Sequence, residues 1–250
     1  MTQKTGVQAD LFVTCIVDQF YPEVGVSVVK VLRRLGVTVG FPKDQTCCGQ
    51  PVYNTGFTQK ALTLAKRVLE QFKDSEYVVV PSGSCAATIR VYYLELFADV
   101  PGLLWQAKAL AAKTYEFSEF LVKVIGIDDS SVFGANHQGT AAFHPSCHLL
   151  RELGVKEEPK KLLRSVPGLE EKELEGAEVC CGFGGTFSVK FPHISEGMVA
   201  DKIANVAASG AETLVSCDMS CLMNIGGALN RQNSTVKVRH LAQILDADSK

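Results

Sequence analysis

The chain has no long hydrophobic run and almost no excess of charge. No apolar stretch approaches the roughly 18–20 residues that a helix needs to cross a lipid bilayer. The 25 basic and 27 acidic residues leave a formal net charge of −2, which is too small to attract nucleic acid or an anionic lipid surface. We therefore expect no transmembrane segment and no nucleic-acid partner.

The first residues also lack the features of a secretory signal. The stretch MTQKTGVQADLFVTC has neither a long apolar core nor a cleavage site of small residues, so we expect a cytoplasmic protein. Structural disulfides are rare in that reducing compartment, and an odd number of cysteines, nine, fits a disulfide framework badly. The cysteines therefore need another explanation.

The cysteines follow one pattern that occurs twice. The first set is Cys15, Cys47, Cys48 and Cys85. The second set is Cys147, Cys180, Cys181 and Cys221, and Cys217 lies close to it. Eight of the nine cysteines thus belong to a duplication whose matching members are 132 to 136 positions apart. Thiols repeated in this way indicate a metal, and four in each set suit an iron–sulfur cluster.

The adjacent cysteines of each set are followed by a glycine. Neighbouring side chains on a strand point to opposite faces, so both thiols reach one metal group only from a turn. Gly49 and Gly182 permit the positive φ of such a turn and a close approach of the backbone to a cluster. A single zinc site usually has compact CxxC pairs, so the pattern favours iron–sulfur chemistry, with zinc as an alternative.

Each half of the chain alternates β-branched runs with amphipathic stretches. This pattern predicts an α/β fold of two pseudo-symmetric halves, residues 1–125 and 126–250. Because the carboxyl ends of parallel strands meet at one edge of a sheet, we expect the cysteines to gather at such edges, which face a shared cleft.

Individual elements follow from the same patterns. The apolar run at residues 11–16 predicts a strand that carries Cys15 near its end. A helix is predicted at residues 58–72, and a buried strand at 77–80. A long connecting helix is predicted near residues 104–125.

Two histidines flank Cys147 in the second set. We expect His148 to contact a cluster sulfur, and Gly49 and Gly182 to lie beside the clusters. His144 is interpreted as a loop residue that packs or caps, with metal ligation as the alternative. A Cys–His nucleophile is a rival interpretation, but it leaves the other cysteines unexplained.

The pattern Cys-x31-Cys-Cys-Gly-x35-Cys, which recurs with slightly longer spacings, resembles the cysteine-rich CCG domain pair. That pair is found in a cluster-binding component of heterodisulfide reductase and in the iron–sulfur subunit of glycolate oxidase. The segments YPEVG, HPSCHLLRELGV and CCGFGGTFSVK most resemble the lactate-utilization protein A family. The first residues contain no ferredoxin-type CxxCxxC motif, unlike the glycolate oxidase type.

This resemblance implies an iron–sulfur electron-transfer protein that serves the oxidation of L-lactate to pyruvate, so that lactate is used as a carbon source. It implies the iron–sulfur subunit of an oxidoreductase complex with partners in a three-protein system, including a ferredoxin-like iron–sulfur protein. The implied cofactor is a [4Fe–4S] cluster, one or two per chain. The eight duplicated cysteines are the implied ligands, with Cys217 as a substitute.

The sequence departs from the heterodisulfide reductase motif at the end of each repeat. In the heterodisulfide reductase motif each repeat ends in CxxC. In this chain, Ser82 and Asp218 occupy the position of the first of those two cysteines. The five thiolates of a noncubane cluster are thus incomplete, but four still satisfy an ordinary [4Fe–4S] cluster. Two other functions stay open: a cluster-dependent thiol/disulfide reductase subunit, and a zinc-stabilised assembly protein without a redox role.

Overall fold

The computed structural model describes residues 6–127 and 129–249, which form two four-stranded parallel sheets with helices on their faces. The strands of the first sheet are β1 (Gln8–Leu11), β2 (Thr38–Gly40), β3 (Tyr77–Val80) and β4 (Thr114–Glu116). Those of the second are β5 (Gly139–His144), β6 (Leu169–Lys172), β7 (Thr213–Ser216) and β8 (Lys237–His240). The predicted α/β fold of two pseudo-symmetric halves is confirmed.

Helices fill the connections between the strands. Those of the first half are α1 (Cys15–Phe20), α2 (Pro22–Arg34), α3 (Gln50–Tyr53), α4 (Thr58–Phe72), α5 (Gly83–Ala87), α6 (Tyr93–Leu96), α7 (Leu104–Lys113) and α8 (Phe117–Glu119). Those that follow are α9 (Glu157–Arg164), α10 (Phe187–Lys190), α11 (Pro192–Ala208), α12 (Met219–Arg231) and α13 (Leu241–Leu245). The π-helical segments are Thr88–Tyr92, Phe120–Ile125 and His148–Glu152, and Ser130–Phe133 is a 3₁₀ helix.

None of the helices in residues 6–127 and 129–249 combines the length and the hydropathy that a bilayer crossing demands.

The sheets have the same strand order, β2-β1-β3-β4 and β6-β5-β7-β8. In the first sheet β1 lies between β2 and β3, with Ala9 opposite both Val39 and Tyr77. The chain therefore leaves β1 towards one side and later returns on the other side. Such a reversal opens a crevice at the carboxyl ends of the two central strands, where α/β proteins bind ligands.

The local sequence explains two elements that have the predicted bounds, α4 and β3. The buried residues of α4 recur at helical spacing and so share one face: Ala61, Ala65, Val68, Leu69 and Phe72. The strand β3 is the run YVVV, whose three valines are buried. β-branched residues that are buried on both faces are typical of a central parallel strand.

Two element predictions need correction, and one strand has no counterpart among the predictions. The strand predicted at residues 11–16 ends at Leu11, because Thr14 turns the chain with a φ of 65° and Cys15 begins α1. The predicted connecting helix at 104–125 is interrupted by β4, which pairs with β3. The strand β6 was not predicted, because its charged sequence LEEK lacks an apolar pattern and pairs only with β5.

One hydrophobic core contains side chains from both halves. Val28 and Leu32 of α2 belong to it together with Leu241 and Leu245 of α13. The buried apolar surface between these helices packs the end of the chain against the first half. The domain boundary between residues 125 and 126 stays a prediction.

The carboxylate of Asp246 joins the same two segments. It is 2% exposed and accepts a hydrogen bond of 3.1 Å from Ser27 Oγ. It also lies 3.3 Å from Arg34 Nη1 and 3.7 Å from Lys30 Nζ, which balance its charge. Removing this charge therefore abolishes the ion pairs that link α2 to the segment after α13.

We predict that Asp246→Asn lowers the free energy of unfolding by about 1–3 kcal/mol, because hydrogen bonds to a buried charged group are lost. Urea denaturation monitored by circular dichroism measures the effect. Asp248→Asn is the matched control, since its side chain is 60% exposed and its ion pair with Arg34 contributes at most about 1 kcal/mol. Equal effects of the two variants would contradict the prediction.

Candidate metal centres

The first thiol group, Cys15, Cys47, Cys48 and Cys85, lies at the carboxyl edge of the first sheet. Cys15 begins the helix after β1, the adjacent pair follows β2, and Cys85 lies in the helix after β3. The Sγ atoms of Cys48 and Cys85 are 3.4 Å apart, and all four thiols are free. The fold thus brings together thiols that are up to 70 positions apart in the chain.

The second thiol group, Cys147, Cys180, Cys181 and Cys221, occupies the corresponding places in the second sheet. Cys147 follows β5, the adjacent pair follows β6, and Cys221 lies in the helix after β7. The burial pattern is also repeated. In each group the second cysteine of the pair and the last cysteine are buried, while the other two are half-buried.

The glycine after each pair shapes the loop. Gly49 has a φ of 91° and Gly182 a φ of 81°, in the left-handed region that favours glycine. Their N–H groups donate to the Sγ atoms of Cys47 and Cys180, each at 3.4 Å. A backbone amide that points at a sulfur stabilises negative charge there, which is what a thiolate ligand needs.

Hydrogen bonds within each group concentrate negative charge on one sulfur. The hydrogen bond from the Cys15 thiol is the largest cause that lowers the pKa of Cys47, to about 3. The same contact raises the pKa of Cys15. In the second group, hydrogen bonds from Cys147 and then Cys181 lower the pKa of Cys180 to about 2. In each group these contacts favour negative charge on the first cysteine of the adjacent pair.

His144 lies among the sulfurs of the second group, although we expected it to pack in the loop. One of its ring nitrogens and the Sγ atoms of Cys181 and Cys221 all lie within 4.8 Å of one another. The residue is 1% exposed, and its Nδ1 is 3.2 Å from the carbonyl oxygen of Ala177.

Lys202 is a buried cation beside the second group, and sequence reasoning missed it. The residue is 1% exposed, and its Nζ donates to the carbonyl oxygens of Gly176 at 2.5 Å and Ala177 at 3.2 Å. Burial lowers the pKa of Lys202, while the electrostatic influence of the nearby cysteines of the second group acts in the opposite direction.

A comparison of the repeats locates the counterpart of Lys202 in the first half. The position of a Cβ on Gly49 faces Ala61 and Leu64, and the same position on Gly182 faces Ser195 and Met198. In both comparisons the matching residues are 134 positions apart. With the same offset, Val68 of the first half corresponds to Lys202 of the second half. A lysine where the other repeat has a buried valine is the signal that would have revealed this residue.

His148 contacts both the second thiol group and the first half. Its Nδ1 is 3.6 Å from Cys147 Sγ, and its Nε2 is 3.2 Å from Gln50 Nε2. Because the amide nitrogen of Gln50 only donates, Nε2 accepts and Nδ1 carries the proton that points at the sulfur. His148 therefore links the sulfur of Cys147 to the side chain of Gln50, and its role beside a cluster stays a prediction.

Ser82 and Asp218, which replace cysteines of the heterodisulfide reductase motif, contact each other across the two halves. Asp218 Oδ2 accepts hydrogen bonds from Ser82 Oγ at 3.1 Å and from the Ser84 N–H at 2.8 Å. Its Oδ1 accepts from the Ser220 N–H at 3.1 Å. These bonds engage both carboxylate oxygens, so the pair ties the halves together.

Cys217 is placed differently from the other cysteines. It is fully buried, and its Sγ lies 3.9 Å from Ser118 Oγ of the first half. Burial, and then the charge of Glu116, raises the pKa of Cys217 well above its ordinary value. Because Cys217 packs in the core against Ser118, the function proposed below assigns the clusters to the other eight cysteines.

A cavity of about 240 Å³ lies between the halves, over the first thiol group. On one side it is lined by Cys15, Cys47, Cys48 and Cys85, together with Ser82 and Ser84. On the other side it is lined by the glycine-rich loop at 183–186 and by residues 218–220. The cavity thus combines the first thiol group with residues of the second half, whereas the cysteines of the second thiol group do not line it.

The donor atoms of both groups fit a metal centre with soft ligands. Four free thiols converge in each group, one of them stabilised as a thiolate, and sulfur donors select iron–sulfur clusters, zinc or copper(I). In the second group the buried Nε2 of His144 has no hydrogen-bond partner among the residues that the structure describes. A buried ring nitrogen left in this way beside sulfurs fits the role of a metal ligand.

Comparisons with known proteins agree with the duplication. The family described as "Cysteine-rich domain" matches residues 9–90 and 141–226, and each match contains one thiol group. Lactate utilization protein A of Bacillus subtilis (strain 168) is 51% identical over 241 residues, which cover 96% of this chain and 100% of that protein. Lactate utilization protein A 1 of Bacillus mycoides (strain KBAB4) is 49% identical over 98% of both chains.

Among solved structures, glutamate racemase RacE1 of Bacillus anthracis aligns with 99% of this chain and 79% of its own. The sequence identity is 9% and the TM-score is 0.37, so this likeness carries no argument about fold or function.

We predict that Gly182→Ala reduces metal binding and thermal stability more than Gly49→Ala does. Both substitutions force alanine into the left-handed region, at about 1–2 kcal/mol. Only at Gly182 does the new Cβ also lie 2.9 Å from Ser195 O, whereas at Gly49 the nearest atom is 3.5 Å away. Metal analysis and thermal melting of the two variants provide the comparison, and equal losses would show that the loops are not sterically different.

Proposed function

The chain belongs to the family of the lactate utilization protein A chains, and from this we propose that it is an iron–sulfur electron carrier in the oxidation of L-lactate to pyruvate. The observation that carries the proposal is the repetition of one four-thiol group, with the same loop glycines and the same burial, at two sheet edges. Iron–sulfur clusters held by these groups supply one-electron redox chemistry.

In the proposed protein, the eight duplicated cysteines hold one [4Fe–4S] cluster in each half. The half-buried members, such as Cys47 and Cys180, are the sulfurs on which negative charge is already stabilised. The amides of Gly49 and Gly182 donate to these two sulfurs, and the buried members keep water from the inner side. Such hydrogen bonds and burial set the reduction potential of a cluster.

The contact between Ser82 and Asp218 favours electron transfer over heterodisulfide-type reduction. A five-thiolate cluster of the latter type needs cysteines at these two positions. Here Ser82 Oγ donates to Asp218 Oδ2 at 3.1 Å, and the Ser84 amide donates to the same oxygen, so the pair is engaged in a structural contact. Four-thiolate clusters are therefore the better proposal.

The proposed chain works with partners. Conversion of lactate to pyruvate removes two electrons and two protons, whereas an iron–sulfur cluster carries one electron at a time. We therefore assign the oxidation of the substrate to another protein of a three-protein system, with this chain and a ferredoxin-like iron–sulfur protein as carriers. The alternative, a zinc-stabilised protein without redox function, makes a different prediction for metal content.

We predict that the anaerobically purified chain contains about eight irons and eight acid-labile sulfides, as two [4Fe–4S] clusters require. Cys48→Ser and Cys181→Ser each remove a buried ligand from one half, so each variant retains about half of the iron. Chemical analysis of iron and sulfide measures this.

Cys217→Ser is the matched control for these variants, because its thiol contacts Ser118, and it keeps the full iron content. Zinc without sulfide, or unchanged iron in both ligand variants, would contradict the proposal.

We also predict that Lys202→Met lowers the midpoint potential of the second-half cluster and leaves that of the first half unchanged. A buried positive charge favours the more negative, reduced form, and its loss is expected to shift the potential by on the order of 60 mV, a tenfold change for one electron. An EPR-monitored redox titration measures both centres. Lys190→Met removes an exposed charge as the control, and an equal shift of both centres by Lys202→Met would refute the assignment.

A further inference from the structure

The two halves differ in the residue three positions before the lone cysteine. In the first half this residue is Phe12, which is fully buried in the core that contains Cys48 and Cys85. In the second half it is His144, which ends β5 opposite Ser216 of β7 and is also buried. An apolar ring in one repeat is thus replaced by a ring that can bind metal.

The hydrogen bond of His144 fixes where its free electron pair lies. Its Nδ1 is 3.2 Å from Ala177 O, and a carbonyl oxygen only accepts, so Nδ1 carries the proton. In the neutral ring the electron pair is then on Nε2, which has no hydrogen-bond partner among residues 6–127 and 129–249. Histidines that bind metals usually have this arrangement, with the second ring nitrogen donating to a carbonyl or carboxylate.

The surroundings of His144 contain the rest of a metal site. A ring nitrogen of His144 and the sulfurs of Cys181 and Cys221 lie within 4.8 Å of one another, and all three residues are buried. This spacing is short enough for the three atoms to bind one ion or adjacent ions of one cluster. Nothing comparable faces the first thiol group from Phe12, whose side chain has no donor atom.

We propose that His144 Nε2 is a ligand of the metal group in the second half, beside Cys181 and Cys221, so that the two halves hold centres of unlike ligation. The inference rests on the proposed iron–sulfur function and changes the ligand set of its second cluster. Each iron of a [4Fe–4S] cluster takes one protein ligand, so the imidazole takes the place of one half-buried thiolate, Cys147 or Cys180. An imidazole ligand adds no negative charge, and histidine ligation raises the potential of an iron–sulfur centre. The buried Lys202 acts in the same direction, so electrons pass from the first-half centre to the second.

Pulsed EPR of the reduced, anaerobically purified full chain tests this ligand directly. The chain is prepared with natural histidine and with ¹⁵N-histidine, so that a histidine nitrogen bound to the cluster is distinguished from backbone nitrogens. We expect a strong histidine coupling that is lost in His144→Phe, which copies the first half, and in His144→Gln, which keeps a polar side chain. The matched control His148→Gln is expected to retain the coupling, since His148 contacts Cys147 only through its protonated Nδ1.

The same samples test the His144 ligand separately from the proposed iron–sulfur function. Iron and sulfide with no histidine coupling in the wild-type chain, or a coupling lost only in His148→Gln, would overturn the ligand assignment and leave the proposed function intact. Absence of iron and sulfide would overturn both. A lower midpoint potential for one centre in His144→Phe, with the other centre unchanged, is the second expected result, and it does not depend on detecting the nitrogen.

Discussion

The carboxyl ends of parallel strands lie at one edge of a sheet, and both thiol groups of this chain depend on that geometry. The loops after β1, β2 and β3 each contribute cysteines to the first group, and those after β5, β6 and β7 do so in the second. Thiols from distant parts of the sequence therefore reach one place only when the sheet is formed. In the proposed protein, metal binding and folding of each half are for that reason coupled.

The duplication also allows the two halves to differ where function requires it. The thiols, the loop glycines and the strand order are repeated, whereas Phe12 and Val68 correspond to His144 and Lys202. The first group lies against apolar residues and a cavity, and the second against a buried imidazole and a buried cation. In the proposed protein, these differences give the two centres different affinities for an electron.

Much of this arrangement can be predicted from the sequence, because cysteine spacing and β-branched runs are local signals. The doubled α/β fold, α4 and β3 follow from them. The strand β6 cannot be predicted in this way, because its sequence LEEK has no apolar pattern. The strand β4 cannot be predicted either, because it lies in a segment of helical character and becomes a strand by pairing with β3. The roles of His144 and Lys202 depend on neighbours from other strands and helices, which one segment of sequence cannot specify.

The central claim is that both sheet edges bind iron. X-ray diffraction from crystals of the anaerobically purified chain, recorded on both sides of the iron absorption edge, tests it most directly. We expect two anomalous iron peaks. One lies at bonding distance from the sulfurs of Cys48 and Cys85, and the other at bonding distance from those of Cys181 and Cys221. A signal at only one of these places, or at the zinc edge instead, would contradict it.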